Sequence, residues 1–333
     1  MEGEYVLKLL QGVRSKGLNI NSLLSDSGIS QALLDNPTVR VSFKQLAHLS
    51  INLIDILNDE CFGLLDKPQR RGTFKLMCHS SICADDIGEA LRLCAEFQNL
   101  LENTWSHEVS EEDGHIAYRL VARKGVRLKH RIALEYHYST LYRTMCWMSN
   151  RQLPLKRVDL TIKQPMSPQR YRFMFYDAPI AFSQKDSGLL FSPEAIKSEN
   201  IRDKRDLRAF LKQTPLTFLT QTVPAENISG RSRTYIERQL LRHGSLPSIE
   251  QASQHFNLKP QTFRRRLSEE STSFSEIKSE TRRDLAINLI LDPNNSVGQV
   301  SETLDFSEPS AFIRAFKQWT GLTPNSYRKT AAL

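Results

Sequence analysis

The sequence predicts an α+β N-terminal domain followed by an all-α C-terminal domain built around a duplicated helical unit. Three observations carry this prediction. The first two thirds of the chain mixes the helical period with the alternation of half-buried strands. Beyond Arg231 only helical periods remain, punctuated by Gly, Pro, Asn or Ser. Within that last part, one pattern of caps, turns and aromatic residues occurs twice, first 48 and then 49 residues apart.

Bulk properties bound the class. The chain has 333 residues, 40% of them hydrophobic and 25% charged, which suits two cored domains and neither a disordered nor a fibrous protein. The five cysteines, Cys61, Cys78, Cys83, Cys94 and Cys146, are odd in number and all N-terminal. A disulfide framework is therefore not expected, and a reducing, cytoplasmic compartment is. Met1-Glu-Gly-Glu-Tyr5 is acidic where a secretory leader is basic, and nowhere do about 18 apolar residues run together, so neither a leader nor a membrane span is expected.

The formal charge is +8, from 45 Lys+Arg against 37 Asp+Glu, and its placement matters more than its sum. Residues 231–333 carry 15 Lys+Arg against 11 Asp+Glu, so half of the excess lies on the last 103 residues. Just before them, Gln221-Thr-Val-Pro-Ala-Glu-Asn-Ile-Ser-Gly230 is polar and breaks helical periodicity at Pro224 and Gly230. The expected division is an N-terminal domain over 1–222, a linker over 223–230 and a C-terminal domain over 231–333.

In the N-terminal domain, Leu9, Leu10 and Val13 mark one short amphipathic helix, and Phe43, Leu46, Ile51 and Ile54 a second. Ile87, Ala90, Leu91, Cys94, Phe97 and Leu101 mark a third. Ile116-Ala-Tyr118-Arg-Leu120 and Val158-Asp-Leu160-Thr-Ile162 alternate as half-buried strands do.

In the C-terminal domain, Ser248-Ile-Glu-Gln251 and Ser296-Val-Gly-Gln299 both have the form of a capping box, each opening a helix. Ser253 corresponds to Ser301, Asn257 to Asp305, Pro260 to Pro309, Phe263 to Phe312, Arg265 to Arg314 and Leu267 to Phe316. The spacing describes a helix-turn-helix, over about 248–267 and again over about 296–317. A small Ser admits the second helix closely, and Asn or Asp at the turn tolerates positive φ better than other non-Gly residues. The pairs Phe263 with Leu267 and Phe312 with Phe316 bury one face of the second helix. Between the copies, Phe274, Ile277, Leu285, Ala286, Leu289 and Ile290 mark a long helix joining the modules.

The faces left over are rich in Arg, Gln, Ser and Lys. An α-helix fits the major groove, where Gln and Arg make bidentate contacts to adenine and guanine edges. Base contacts are expected from Gln261, Arg264 and Arg265 in the first module and from Ser310 and Arg314 in the second. Arg265 or Arg314 instead reaches phosphate in an alternative assignment. Thr262 and Lys317 are expected on the backbone, and the helix N-termini capped by Ser248 and Ser296 are expected to offer amides to phosphate.

These residues resemble a known family. The runs Pro260-Gln-Thr-Phe-Arg-Arg-Arg-Leu267 and Arg283-Asp-Leu-Ala-Ile-Asn-Leu-Ile290, and above all Leu304 to Arg328 with Phe306, Pro309, Phe312, Arg314, Phe316, Trp319, Gly321, Pro324 and Tyr327, are similar to the DNA-binding domain of AraC/XylS-type transcription regulators. The chain departs from family usage at the turn Gly (Asn257, Asp305), at the small Ala (Ser253, Ser301) and at the first module's helix-opening Ser (Lys259). A Lys there gives up a side-chain acceptor and opposes the helix dipole. Leu23 to Pro37, Arg40-Val-Ser-Phe43 and Ser80 to Leu93 resemble the sensor domain of family members of this length, with likeness to about Phe191.

The resemblance implies an α+β N-terminal sensor domain followed by an all-α DNA reader with two helix-turn-helix modules joined by a long helix. It implies a sequence-specific transcription regulator, a ligand-responsive activator, with double-stranded DNA and a small-molecule effector as partners. RNA polymerase and a second copy of the chain are further candidate partners. The alternative is a ligand-independent repressor or architectural protein whose N-terminal domain only dimerises. Ligand-binding residues are not assigned.

No enzyme motif is present, and neither a metal nor a cofactor is expected. Cys78-His79-Ser-Ser-Ile-Cys83 has no matching second pair for zinc, so buried thiols are expected instead. The aromatic and Met-rich stretch from 127 to 148 reads as core before pocket wall, leaving His79, Tyr136, His137 and Trp147 unassigned.

Overall fold

The computed structural model describes residues 3–36, 39, 41–124, 132–163, 171, 174–176, 178–215, 227–270, 272–292 and 294–331. Pro37, Arg40, residues 127–131 and the expected linker's 223–226 lie outside them. The chain forms α1 (Gly3–Leu9), α2 (Gln11–Arg14), α3 (Ile20–Asp26), α4 (Phe43–Leu57), α5 (Thr73–Ser81) and α6 (Ile87–Leu100), then β1 (Trp105–Glu112) and β2 (His115–Ala122). There follow α7 (Ile132–Ser149), β3 (Leu155–Asp159), β4 (Ile180–Ala181), β5 (Gly188–Phe191), α8 (Pro193–Ile196) and α9 (Lys204–Gln213). The remaining described elements are all helical: α10 (Ile228–His243), α11 (Ile249–His255), α12 (Pro260–Glu269), α13 (Phe274–Leu291), α14 (Val297–Thr303), α15 (Pro309–Thr320) and α16 (Pro324–Ala331).

Two compact units emerge. One gathers Lys8–Leu23 and Ala47–Pro224, and the other gathers Met1–Leu7, Leu24–Leu46 and Ala225–Leu333. The first holds a sheet of order β1-β2-β5-β3-β4. Its β1–β2 hairpin closes through Asp113 and Gly114, both at positive φ, the two-residue turn that matches strand twist. β2 covers the alternating segment predicted around Tyr118. β3 ends at Asp159 rather than extending to Ile162, because its ladder with β5 is exhausted at Asp159 opposite Gly188.

α6 opens at Asp86, whose carboxylate accepts the Glu89 N–H at 2.8 Å, and it buries Ile87, Ala90, Leu91 and Cys94 completely. Each buried Ile or Leu contributes about 1.5–3 kcal/mol. Asn99 ties this helix to β1, donating to the His107 carbonyl and accepting its N–H, both at 2.8 Å. α4 forms where expected, but on a different stripe: Leu46, Ala47, Leu49 and Leu53 are buried, whereas Ile51 is 39% exposed. Leu and Ile lie all round this helix, so apolarity alone does not fix the buried face. Cys61, Cys78, Cys94 and Cys146 are buried thiols, while Cys83 is exposed, against the expectation for the Cys78–Cys83 pair.

The second unit packs α10 to α16 around one core that includes Ile236, Leu240, Phe263, Ile277, Ala286, Ile290, Phe312, Phe316 and Tyr327. α10 starts at Ile228, inside the segment expected to be linker up to Gly230. Its first-turn amides have acceptors the local sequence does not reveal: Glu270 accepts the N–H groups of Ile228 and Ser229 at 2.9 Å each, and Asn227 accepts that of Gly230. In the same unit, the described residues of 24–46 lie against the C-terminal helices. The Tyr327 hydroxyl donates to Gln45 Oε1 at 2.9 Å, and a Cβ on Gly321 (φ 78°) would meet Val39 at 3.2 Å.

Candidate nucleic-acid interface

Both predicted capping boxes form. Ser248 Oγ accepts the Gln251 N–H at 3.2 Å while Gln251 Oε1 accepts the Ser248 N–H at 2.7 Å; the Ser296–Gln299 pair repeats this at 3.1 and 2.8 Å. After α11 and α14 the chain turns through Asn257 (φ 53°) and Asp305 (φ 59°). The next amide closes each turn: Leu258 donates to the Ser253 carbonyl at 2.9 Å and Phe306 to the Ser301 carbonyl at 3.0 Å. Ser253 and Ser301 are each 1% exposed, as close helix approach requires.

α12 and α15 start without a side-chain cap, at Lys259 and Glu308. Each has Pro at its first position, which needs no N–H partner and presets φ for a helix. The start of α12 is thus secured by Pro260 despite the Lys. Phe263, Leu267, Phe312 and Phe316 are buried, and Phe256 and Phe306 pack their rings on Phe263 and Phe312 at 5.7 and 5.3 Å.

With those faces inward, Gln261, Arg264, Arg265 and Arg266 of α12 are exposed, and Thr262 is half-buried. On α15, Ser310, Ile313, Arg314 and Lys317 are exposed. The structure therefore brings Gln261, Arg264 and Arg265 together on one helix, and Ser310, Arg314 and Lys317 on its counterpart. The ion pairs Arg265–Glu269 and Arg314–Glu308, each 3.7 Å and mostly exposed, are of the weak surface kind that phosphate displaces readily.

The two capped N-termini, expected to be equivalent, differ. At Ser248 the Glu250 carboxylate is held below the usual range by its own backbone N–H and the Ser248 hydroxyl, so an anion already occupies the first turn of α11. The first turn of α14 contains Val297 and Gly298 and no acid. The first turn behind Ser296 thus carries no side-chain anion, whereas that behind Ser248 does.

Local sequence patterns missed the residues that brace these modules. Arg282 of α13 donates through Nε to the Leu304 carbonyl at 2.6 Å and through Nη2 to that of Asp305, with its guanidinium 3.5 Å above the Phe306 ring centre. The Asp305 carboxylate accepts the Leu246 N–H at 3.0 Å. Arg328 closes the end of α13, donating to the carbonyls of Ile290, at 2.9 Å, and Asn295. On the first module the counterpart is looser: Arg231 lies 5.0 Å from the Phe256 ring centre. Among the described residues no group of three or more His, Cys, Asp or Glu is placed to hold a metal ion, and no helix is long and apolar enough to cross a membrane.

A duplicated helix-turn-helix with two exposed basic reading faces, joined to an α+β unit, defines a DNA-binding transcription regulator. Comparison with known proteins places it further. Residues 17–200 match the model of the arabinose-binding domain of AraC transcription regulators, and residues 252–330 match a helix-turn-helix domain model. The chain belongs to the AraC family of transcription regulators. It is similar over nearly its whole length to the ornithine utilization regulator of Pseudomonas aeruginosa, 23% identical over 331 residues, 98% of this chain and 95% of that protein. Over 99 residues, 30% of this chain and 36% of the relative, it is 34% identical to the transcriptional activator CfaD of Escherichia coli. The solved structure of the regulator CdpR from Pseudomonas aeruginosa matches 93% of this chain and 96% of its own at 21% identity and a TM-score of 0.33.

Proposed function

We propose that this regulator is a ligand-responsive activator that reads DNA by placing α12 and α15 in successive major grooves. The carrying observation is the matched construction of the two modules, which leaves the same face of each reading helix exposed. In this reading Gln261, Arg264 and Arg265 contact base edges in one groove, and Ser310 and Arg314 do so in the next. Thr262 and Lys317 reach the backbone, and the N-terminus behind Ser296 takes a phosphate.

The sensor domain is assigned to 1–222 and the reader to 231–333. A small-molecule effector acts by binding one arrangement of the domains, or a dimer, better than the alternative, since only differential affinity shifts an equilibrium. The relative CfaD is described as an activator, which supports an activating role here.

Fluorescence anisotropy with a random-sequence duplex tests the electrostatic part. Affinity is expected to fall steeply with salt, and Lys317→Ala to lower the log–log salt slope by about one. Salt-independent binding, or an unchanged slope in the variant, would count against phosphate contact by α15.

A further inference from the structure

We propose that the unit containing the sheet carries an amine site: a cavity walled by Glu60, Gln69, Phe74, Gln98, Tyr136 and His137 takes a primary ammonium head on a short apolar chain. This rests on the ligand-responsive reading above, and it names the class of effector.

The wall is assembled from separate stretches of sequence. Glu60 and Gln69 lie on the segment between α4 and α5, Phe74 on α5, Gln98 on α6, and Tyr136 and His137 on α7. The segment is fixed by buried Asp59, whose carboxylate accepts the N–H groups of Cys61, Gly63 and Gln69 at 2.8–2.9 Å. Glu60 is anchored in turn, one oxygen accepting the Gly72 N–H and the other the Phe74 N–H, both at 2.7 Å. Gln69 Nε2 donates to Gln98 Oε1 at 3.0 Å, and Gln98 Nε2 points to the Met77 sulfur at 3.3 Å. The polar groups are thus held in place before any ligand arrives.

Two features call for a ligand with hydrogen-bond donors and positive charge. His137 Nε2 is buried with no partner among the described residues, although buried ring nitrogens are ordinarily satisfied. Among the described residues the lining contains one carboxylate and neither Lys nor Arg. Burial, with a smaller contribution from the Asp59 charge, raises the Glu60 carboxyl above its usual range against the pull of its two N–H donors and of Arg71, and an incoming cation relieves that cost. Burial also lowers His137 to about 4, so its ring is neutral at pH 7 and adds no positive charge. Neighbouring His107, with ring centres 4.9 Å apart, is lowered by burial to about 2.

An anionic effector would face the Glu60 carboxylate in a lining that, among the described residues, holds no Lys or Arg. An ammonium group offers three donors to Glu60, the Gln69 amide oxygen and His137 Nε2, and the Phe74 and Tyr136 rings favour a cation. The cavity volume of about 50 Å³ corresponds to roughly three or four water-sized groups. That is the size of a propylammonium ion.

Isothermal titration calorimetry of the full chain with n-propylammonium chloride, propan-1-ol and sodium propionate, at equal ionic strength, tests the assignment. Propylammonium is expected to bind one-to-one, with the alcohol and the propionate at least about tenfold weaker. Glu60→Gln and His137→Phe should each weaken propylammonium by about the same factor. Equal binding of the alcohol or the propionate, no binding of any of the three, or full retention in Glu60→Gln overturns the proposal. The charge series needs no variant, so it decides even where Glu60→Gln fails to fold. DNA affinity is followed separately: heat of amine binding without a change in DNA affinity upholds the amine site and removes the ligand-responsive reading.

Discussion

The first helix-turn-helix presents Gln261, Arg264, Arg265 and Arg266 from α12, whereas the second presents Ser310, Ile313, Arg314 and Lys317 from α15. Beneath these faces the modules are built alike, with the same capping box, positive-φ turn residue, buried Ser and first-turn Pro. Around them they diverge. The second is clamped by Arg282 and has an acid-free N-terminus at Ser296, while the first carries Glu250 at its N-terminus, lies against Arg231 more loosely, and is tied to α10 through Glu270 and through Tyr235 stacked on His255 at 4.2 Å. What the copies share is the helix-turn-helix skeleton and an exposed Arg at Arg265 and Arg314, and what they do not share is the rest of the exposed face and the bracing around it.

The largest expected effects test the shared skeleton. Phe263→Ala and Phe312→Ala should each destabilise the chain by about 3–5 kcal/mol in denaturant titrations, because both rings are fully buried. Losses that differ between the two by more than about 2 kcal/mol would break the structural equivalence. Next comes the asymmetry in bracing. Arg282→Ala, which strips two carbonyls of a charged donor, should cost about 1.5–3 kcal/mol, whereas Arg231→Ala should cost no more than about 1 kcal/mol. Equal costs would remove the distinction.

Arg264→Ala should lose about 1–3 kcal/mol of binding to a preferred DNA sequence and relax the preference at one base pair. Equal losses on preferred and random DNA would argue against base reading there. The smallest effect belongs to Glu250→Gln, which should tighten DNA binding about two- to threefold at low salt and have no effect at about 1 M salt. Unchanged affinity at low salt would mean that the N-terminus of α11 lies away from phosphate.

The C-terminal fold was legible in the sequence because its determinants are local. A Ser and a Gln three residues apart make a cap, an Asn or Asp between two helices makes a positive-φ turn, and aromatic pairs at helical spacing point inward. Arg282, Arg328 and Glu270 were not legible, because each satisfies carbonyls or amides more than 20 residues away that no periodicity connects. In the α+β unit, the end of β3 depended on the length of its partner β5, and the buried stripe of α4 on what packs there rather than on Ile51 itself. The cavity shows the same limit. Tyr136 and His137 stood out only as members of a buried aromatic stretch, and nothing in the sequence connects them with Glu60, Gln69 or Gln98.

Selection of binding sites from a random-sequence duplex pool, run in parallel with the unaltered chain, Arg264→Ala and Arg314→Ala, tests reading by both modules most directly. The unaltered chain should enrich a bipartite sequence whose halves lie about one helical turn apart, about 10 base pairs. Each variant should lose the preference in one half and keep the other. Enrichment of the same bipartite sequence by all three proteins, or of no sequence by any, would contradict a two-groove reader built on these arginines.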